Sequence, residues 1–393
     1  MTERAVTVLA SLGEIAREDW DACANPHAAS GGAFDPFVSY DFLSALEDAG
    51  CVGAAEGWMT QHLVLDGDDG RPSAVVPCYA KNHSLGEYVF DHGWADAWRR
   101  AGGRYYPKLQ VSVPFTPATG RRLLTRPGSG EASDRALLAS AIVELCRRVG
   151  ASSAHATFLT LQDAGTFEAA GYLARRDRQF HFENAGYASY DDFLATLASR
   201  KRKALKRERR EALANGIAIE WVTGRDITEA HLDDFFEFYL DTSGRKWGRP
   251  YLNRRFFSLI AGRMAERMLF VFAVRAGRRI AGALNFIGSD ALYGRYWGAL
   301  EDQPFLHFEV CYHQAIDFAI AQRLPRVEAG AQGTHKLARG YMPVETRSAH
   351  YIADPSFRRA VADYLDEERR HVALEADALA DAGPYRRGDT AAS

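Results

Sequence analysis

The stretch of sequence that decides the fold is VEAGAQGTHKLARGY, residues 327–341. It opens on a short apolar run that predicts a buried strand, and Gly330 and Gly333 interrupt the run directly afterwards. In α/β proteins ligands bind at the carboxyl ends of strands, and glycine lets the backbone approach a ligand closely. Four polar or aromatic residues follow the strand: His335, Lys336, Arg339 and Tyr341. We interpret the segment as a candidate site for phosphate or a developing oxyanion; the alternative is a capped turn with two solvated cations.

The pattern on both sides of this segment predicts a mixed α/β protein of two blocks, 1–180 and 181–393. Each block begins with a strand-like run followed by a helix. In the first block we expect strands at 58–65 and 73–79, and residues 81–117 resist assignment, as functional loops do. In the second block we expect one long helix over 190–215, a hairpin over 268–287 and a charged terminal helix over 355–380.

A strongly basic run, RKRKALKRERR at residues 200–210, lies within the long predicted helix. Helical periodicity gathers its cations on one face and places Lys201 and Glu208 in the opposite, apolar stripe. The basic face is either a phosphate-binding surface for RNA or another anion, or a solvated helix face. The residues that we assign to phosphate binding are Lys203, Lys206, Arg207 and Arg210.

Two further groups of residues have compositions typical of ligand clefts. In the first, KNHSLGEYVFD (81–91) and YYPK (105–108) alternate charges with aromatic rings, which suits stacking and hydrogen bonding to a polar ligand. The predicted substrate-binding residues are Lys81, His83, Glu87, Asp91, Tyr105, Tyr106, Lys108 and, from the second group, Trp297. The second group also holds Tyr296, His307 and Glu309, and His307 with Glu309 is a possible acid/base pair. Surface loops clamped by aromatic packing, and a structural histidine, are the alternatives.

Composition excludes several classes of protein. Hydrophobic residues make up 47% of the chain and charged residues 25%, with a net charge of −3, so it can build ordinary cores and is neither disordered nor broadly basic. We therefore expect no DNA partner. The five cysteines are widely spaced and include no Cys-x-x-Cys, and no apolar run approaches 18 residues. These features lead us to expect a cytoplasmic protein with reduced thiols, no metal and no transmembrane segment.

The 81–91 and 105–109 stretches, the 199–210 helix and the 328–341 motif resemble bacterial N-acyltransferases of the FemABX-like, peptidoglycan-biosynthesis type. The resemblance runs from about residue 5 to 380. It implies two tandem GNAT-like domains, each a mixed sheet flanked by helices, and transfer of an acyl or aminoacyl group to an amine. The expected acceptor is a small molecule or a cell-wall precursor. The donor is aminoacyl-tRNA in Fem-type relatives and acyl-CoA in other GNAT proteins, and no further cofactor is expected.

The sequence departs from the family pattern in two places. Acyl-CoA enzymes carry a glycine-rich turn before a helix, whereas LEDQPFLH (300–307) has two acids and no glycine, which argues for aminoacyl-tRNA as the donor. Fem proteins carry a lysine just before a Gly-aromatic pair; here Arg339 precedes Gly340-Tyr341 and Lys336 lies further back, so either fits that place. The predicted catalytic residues are Lys336 and Arg339 for charge stabilisation, and His335, His307, Tyr296 and Tyr341 for proton transfer. An acyl-CoA-dependent enzyme and a non-catalytic binding protein are the alternatives.

Overall fold

The computed structural model describes residues 4–128, 130–246, 249–330, 333–381 and 383–386. Strands and helices both occur along the whole length, with consecutive strands over 58–81 and over 268–299. The strands are β1 Val6–Leu9, β2 Trp58–Thr60, β3 His62–Asp66, β4 Pro72–Val76, β5 Cys78–Lys81, β6 Lys108–Val111, β7 Leu124–Thr125, β8 Ser153–Thr157, β9 Leu173–Glu183, β10 Ile217–Thr223, β11 Met268–Arg275, β12 Arg278–Ile287, β13 Ala291–Ala299, β14 Arg326–Glu328 and β15 Met342–Ile352.

The helices flank these strands. They are α1 Arg17–Ala24, α2 Tyr40–Asp48, α3 His92–Arg100, α4 Glu131–Arg148, α5 Leu161–Ala169, α6 Tyr190–Thr196, α7 Ser199–Ala212, α8 Glu229–Lys246, α9 Arg254–Met264, α10 Leu306–Phe308, α11 Gln314–Ala321 and α12 Pro355–Asp381. A π-helical segment, Glu309–His313, joins α10 to α11, and a 3-10 turn, Thr334–Arg339, follows β14. None of the helices in the described ranges is both long and apolar enough to cross a bilayer.

The first compact unit contains the chain up to Asp177 and returns for Glu345–Ala373. One of its sheets has the order β1-β3-β4-β7. In the other, β15 pairs with β8, β8 runs parallel to β6, and β5 and β2 follow. Its core is mainly aliphatic and includes Leu63, Val76, Leu109, Leu138 and Ile142.

Two strands predicted in this unit are each divided between its two sheets. The run 58–65 forms β2 and β3 on either side of Gln61, and the run 73–79 forms β4 and β5 on either side of Pro77. Proline has no N–H to continue a ladder, so the strand breaks there. Gln61 donates its backbone N–H to Cys78 at the same crossing point.

The second compact unit contains Arg178–Val344 and the chain from Leu374 onwards. Antiparallel pairing orders β10, β11, β12 and β13, and β14 then lies between β13, which is parallel, and the end of β9, which is antiparallel. The glycine motif therefore leaves the sheet from an interior strand. Its Ala331 and Gln332 lie outside the described residues.

The observed division into units differs from the expected one because a late segment of the chain returns to the first unit. The first crossing falls after Asp177, three residues from the expected boundary, but Glu345–Ala373 joins the first unit instead of the second. That return depends on the pairing of β15 with β8, for example Ser348 opposite Thr157. A pairing between residues so far apart in sequence leaves no local pattern.

The predicted long helix over 190–215 is two helices, α6 and α7. Ser189 caps α6 through a hydrogen bond from the backbone N–H of Asp192, and the buried Leu197 has an extended backbone that ends the helix. Because of the break, the side chains of α7 point in directions other than those that one continuous helix predicts. Lys201, expected in the apolar stripe, is exposed, whereas Glu208 is buried as expected.

Gly340 ends the turn Thr334–Arg339 in a left-handed conformation with a φ of 88°. A Cβ at this position would lie 2.6 Å from Cζ of Phe193, whose ring is fully buried in the core of the second unit. Both the backbone conformation and the packing therefore require glycine.

We expect Gly340→Ala to destabilise the protein by about 1–3 kcal/mol, because the left-handed strain and the clash with Phe193 add together. The measurement is the urea unfolding midpoint. Gly277→Ala is the matched control, since Gly277 has a φ of 76° and open space where its Cβ would be. Equal losses in the two variants would show that packing against Phe193 plays no part.

Candidate functional site

Two lysines and two carboxylates form a buried cluster in the first unit. Lys81 ends β5 and faces Lys108 at the start of β6, and the loop after β5 supplies Glu87 and Asp91. Lys108 Nζ lies 2.7 Å from Glu87 and 2.5 Å from Asp91, and Lys81 Nζ lies 3.2 Å from Glu87. All four side chains are buried. We call this the lysine–carboxylate cluster; its formal charges balance.

The two lysines of the cluster have different environments. Burial lowers the pKa of Lys81 to about 7, because Glu87 offsets only part of the desolvation and Lys108 repels the charge. Burial also acts on Lys108, but Glu87 and Asp91 together outweigh it and raise its pKa. Lys81 Nζ lies 3.3 Å from the centroid of the Trp58 ring and donates to the carbonyl of Leu85. A lysine that titrates near neutrality is suited to proton transfer.

Most of the predicted substrate-binding residues of this unit meet in the cluster. Tyr105 donates to Asp91 at 2.6 Å, and Tyr106 shares a hydrogen bond with Ser84, which also accepts from Lys108. His83 is the exception: its Nε2 lies 2.9 Å from the carbonyl of Glu56. The structure thus brings together Lys81, Glu87, Asp91, Tyr105, Tyr106 and Lys108, and their role in substrate binding stays a prediction.

Sequence analysis missed a histidine pair beside the cluster. His155 on β8 and His350 on β15 face each other in register, with 2.7 Å between their Nδ1 atoms, so one ring donates and the other accepts. The Nε2 atom of each lies within 2.9 Å of the serine two residues earlier, Ser153 or Ser348. The signal was the repeated tripeptide Ser-Ala-His at 153–155 and 348–350.

In the second unit, the turn Thr334–Arg339, hereafter the Lys336 turn, carries a buried cation. Lys336 Nζ donates to the carbonyl of Gly330 at 2.9 Å. In the described part of the chain no carboxylate lies within ion-pair distance of it. Burial lowers the pKa of Lys336 to about 8, with Cys311 opposing the shift. At pH 7 the group is an ammonium that gives up its proton readily.

Arg339, at the end of the same turn, forms a bidentate ion pair. Its Nε and Nη2 lie 2.8 and 2.6 Å from the two oxygens of Glu208 on α7, and its guanidinium lies 3.3 Å from the centroid of the Phe308 ring. His313 also contacts Glu208, at 2.8 Å, and its other nitrogen lies 2.5 Å from the hydroxyl of Tyr190. Burial would raise the pKa of Glu208, but the hydrogen bonds from His313 and Arg339 outweigh burial and lower it.

The neighbouring Arg209, expected on the basic face, instead points to the π-helical segment. It donates to Glu309 at 2.8 Å and to Asp317 at 2.7 Å. Glu309 is thus engaged by Arg209 and Gln314, and its predicted acid/base pairing with His307 stays a prediction. π-Helical segments are often found at functional sites, and here the extra residue turns Glu309 and His313 towards α7.

The other predicted catalytic residues lie at different depths. His335 is exposed, and its Nε2 lies 3.0 Å from the hydroxyl of Tyr312. The His307 ring lies tilted against the rings of His335 and Trp297, with centroids 6.2 and 4.9 Å away. Tyr296 packs edge-on against Tyr239. Tyr341 is fully buried and donates its hydroxyl to the carbonyl of Tyr312, and its part in proton transfer stays a prediction.

The predicted phosphate-binding residues share the exposed face of α7. Lys206 pairs with Asp191 at 2.8 Å and Arg207 with Glu211 at 3.5 Å, both on the surface, where such pairs contribute little. The four residues are Lys203, Lys206, Arg207 and Arg210. Phosphate binding by this face stays a prediction. Within the described ranges, no three His, Cys, Asp or Glu side chains are grouped as a metal site would need.

The histidine pair makes stability depend on pH. Burial lowers the pKa of His155 to about 3 and that of His350 well below its usual value, whereas both titrate near 6.5 when unfolded. Above pH 6.5 neither state binds the protons. As the pH falls from 6.5 towards 3, the unfolded state binds a proton at His155 that the folded state does not, and His350 acts in the same direction, so each histidine costs up to about 1.4 kcal/mol of stability per pH unit.

We expect His155→Gln/His350→Gln to flatten the fall in unfolding free energy between pH 6.5 and 4.5, measured by urea unfolding. His27→Gln/His371→Gln removes two exposed imidazoles and serves as the control. A slope that is the same in the buried-pair variant and in the wild-type protein would contradict this account.

Comparisons with known proteins bear on the family and the fold of the chain. The model of the FemAB-like family, which is described as acting in peptidoglycan biosynthesis or recognition, matches residues 11–387. No curated protein matches the chain. Among solved structures, FemX aligns with a TM-score of 0.54 at 11% identity, over 92% of this chain and all of FemX.

Two further structures are similar. A conserved protein of unknown function from Bacteroides thetaiotaomicron has a TM-score of 0.52 at 12% identity, over 88% of this chain and 100% of the other. A tandem GNAT protein from the clavulanic acid pathway has a TM-score of 0.43 at 14% identity, over 90% and 99% of the two chains. The FemX likeness confirms the expected α/β fold class, with mixed sheets flanked by helices. The match over residues 11–387 shows that this chain belongs to the FemAB-like family.

Proposed function

We propose that the protein is an N-acyltransferase that moves an aminoacyl group from aminoacyl-tRNA to an amine of a peptidoglycan-precursor-like acceptor. The observation that carries the proposal is Lys336. It is a buried ammonium whose pKa is about 8, on a glycine-flanked turn at the carboxyl end of an interior strand. Membership of the FemAB-like family supports acyl or aminoacyl transfer on peptidoglycan-related substrates.

The reaction determines what the site must supply. The amine nitrogen attacks the ester carbonyl carbon, an oxyanion develops, the C–O bond to the ribose breaks, and in net terms a proton passes from the nitrogen to the departing ribose oxygen. Lys336 carries positive charge to stabilise the oxyanion, and its pKa suits it to give a proton to the departing ribose oxygen. Lys336 is a better candidate than Arg339 for stabilising the oxyanion, because Glu208 already neutralises the charge of Arg339.

Two observations bear on the donor. The exposed cations of α7 suit an RNA backbone, and the segment 300–307 lacks the glycine turn that holds the pyrophosphate of acyl-CoA. Acyl-CoA-dependent transfer is the second candidate, favoured by the GNAT-like fold itself. A non-catalytic binding protein is a third, and transfer activity distinguishes it from the other two.

We expect Lys336→Met to lower kcat about 100-fold or more with either donor, because the developing charge loses its cation. The assay offers radiolabelled aminoacyl-tRNA or acyl-CoA together with a soluble precursor peptide that has a free side-chain amine, and the product is followed by mass spectrometry. Arg278→Met, which removes an exposed cation of the same unit, is the control. Full activity in the Lys336 variant would overturn its catalytic role, and no transfer by the wild-type protein would favour a binding protein.

We expect Lys206→Ala/Arg207→Ala to weaken tRNA binding and to reduce the salt slope of log K by about 0.7–0.9 for each phosphate group that the protein no longer neutralises. The measurement is fluorescence anisotropy of labelled tRNA at several salt concentrations. The control, Arg147→Ala/Arg148→Ala, removes two exposed arginines from the end of α4. Unchanged tRNA binding in the α7 variant, with tight acyl-CoA binding, would replace the RNA donor with acyl-CoA.

A further inference from the structure

Glu208 is the one acid in the run 200–210, and its side chain faces inward from α7. It lies 131 residues from Arg339, yet the two form a bidentate pair with both oxygens engaged. Paired charge-assisted hydrogen bonds fix the orientation of both partners as well as their separation. The contact of His313 with Oε1 leaves the carboxylate little freedom to rotate.

Arg339 in turn anchors the Lys336 turn. Its Nη1 donates to the carbonyl of His335 at 2.6 Å, one residue before Lys336, while Nε and Nη2 bind Glu208. The guanidinium thus connects α7 to the backbone of the turn. Lys336 Nζ reaches from this turn to Gly330, so the depth of the ammonium depends on where the turn lies.

We propose that Glu208 is a positioning residue: by holding Arg339 it fixes the Lys336 turn and keeps the Lys336 ammonium buried at Gly330. The catalytic meaning of this position rests on the proposed function, but the position itself does not. Glu208 acts through Arg339 and contacts no reacting atom. The acid within the basic run therefore stabilises the turn, and the exposed cations around it belong to the outer face of α7.

Arg209 offers a matched control. It follows Glu208 in the same helix and makes a comparable part-buried ion pair, but with Glu309 and Asp317, which do not belong to the turn. Arg209→Gln and Glu208→Gln each break one such network on α7. Only Glu208→Gln releases the turn.

The test measures the ionisation of Lys336 without any substrate. Trace labelling with deuterated acetic anhydride between pH 6 and 11, followed by peptide mass spectrometry, gives the pKa and intrinsic reactivity of Lys336, with the exposed Lys203 as internal reference. In Glu208→Gln we expect the pKa of Lys336 to rise by at least one unit, towards the value of about 10.4 for a hydrated lysine, and its labelling to quicken at least tenfold. In Arg209→Gln both should stay as in the wild-type protein.

The direction in which the pKa of Lys336 changes distinguishes release of the turn from the mere loss of the Glu208 charge. Loss of a nearby negative charge would by itself lower the pKa of Lys336 or leave it unchanged, whereas release of the turn raises it. A Lys336 pKa that is unchanged or lower in folded Glu208→Gln overturns the proposal, as does an equal rise in Arg209→Gln. If Glu208→Gln does not fold, Glu208→Gln/Arg339→Met removes both charges together and leaves no unpaired buried ion; the same rise is expected.

The outcome is independent of the transfer assay. Faster labelling of Lys336 in Glu208→Gln, together with no transfer by the wild-type protein, would support the positioning role and refute the proposed function. Transfer that depends on Lys336, together with Lys336 labelling that is unaffected by Glu208→Gln, would support the proposed function and refute the positioning role. Where transfer is observed, Glu208→Gln should lower kcat with little change in KM, and Glu208→Asp should restore part of it.

Discussion

The ion pair between Glu208 and Arg339 is the interaction on which the second unit depends. Burying either charge alone is costly, so helix α7 and the turn after β14 must meet for both to be compensated. The pair explains why an acid interrupts an otherwise basic helix. It also explains how a turn between two glycines of positive φ, Gly333 and Gly340, has a defined position.

The buried lysines of the two units differ in whether a carboxylate compensates their charge. In the first unit, Lys81 and Lys108 share Glu87 and Asp91, and the cluster is neutral overall. In the second, Arg339 is neutralised but Lys336 has only a backbone carbonyl among its described hydrogen-bond partners. A buried cation without a countercharge is held at an energetic cost, and such costs are typical of sites that stabilise negative charge in a reaction.

Backbone irregularities place the key side chains. The π-helical segment Glu309–His313 directs Glu309 towards Arg209 and His313 towards Glu208. Ideal α-helical geometry would rotate these two residues by a different angle and separate them from α7. The Lys336 turn likewise ends where Gly340 packs against Phe193, which ties the turn to the hydrophobic core.

The sequence by itself determined the element types in much of the chain outside residues 81–117, the glycine-flanked strand β14 and the inward face of Glu208, because strand and helix periodicities and turn glycines are local signals. It also grouped Lys81, Glu87, Asp91 and Lys108, which are close in the chain. Only the tertiary structure decided the break at Leu197, the switch of strands between sheets at Pro77 and the return of residues 345–373. It alone paired Glu208 with Arg339, His155 with His350 and Glu309 with Arg209. These contacts join residues that are distant in sequence or shifted in helical phase, and the free energy of burying charge and apolar surface, rather than any local preference, selects them.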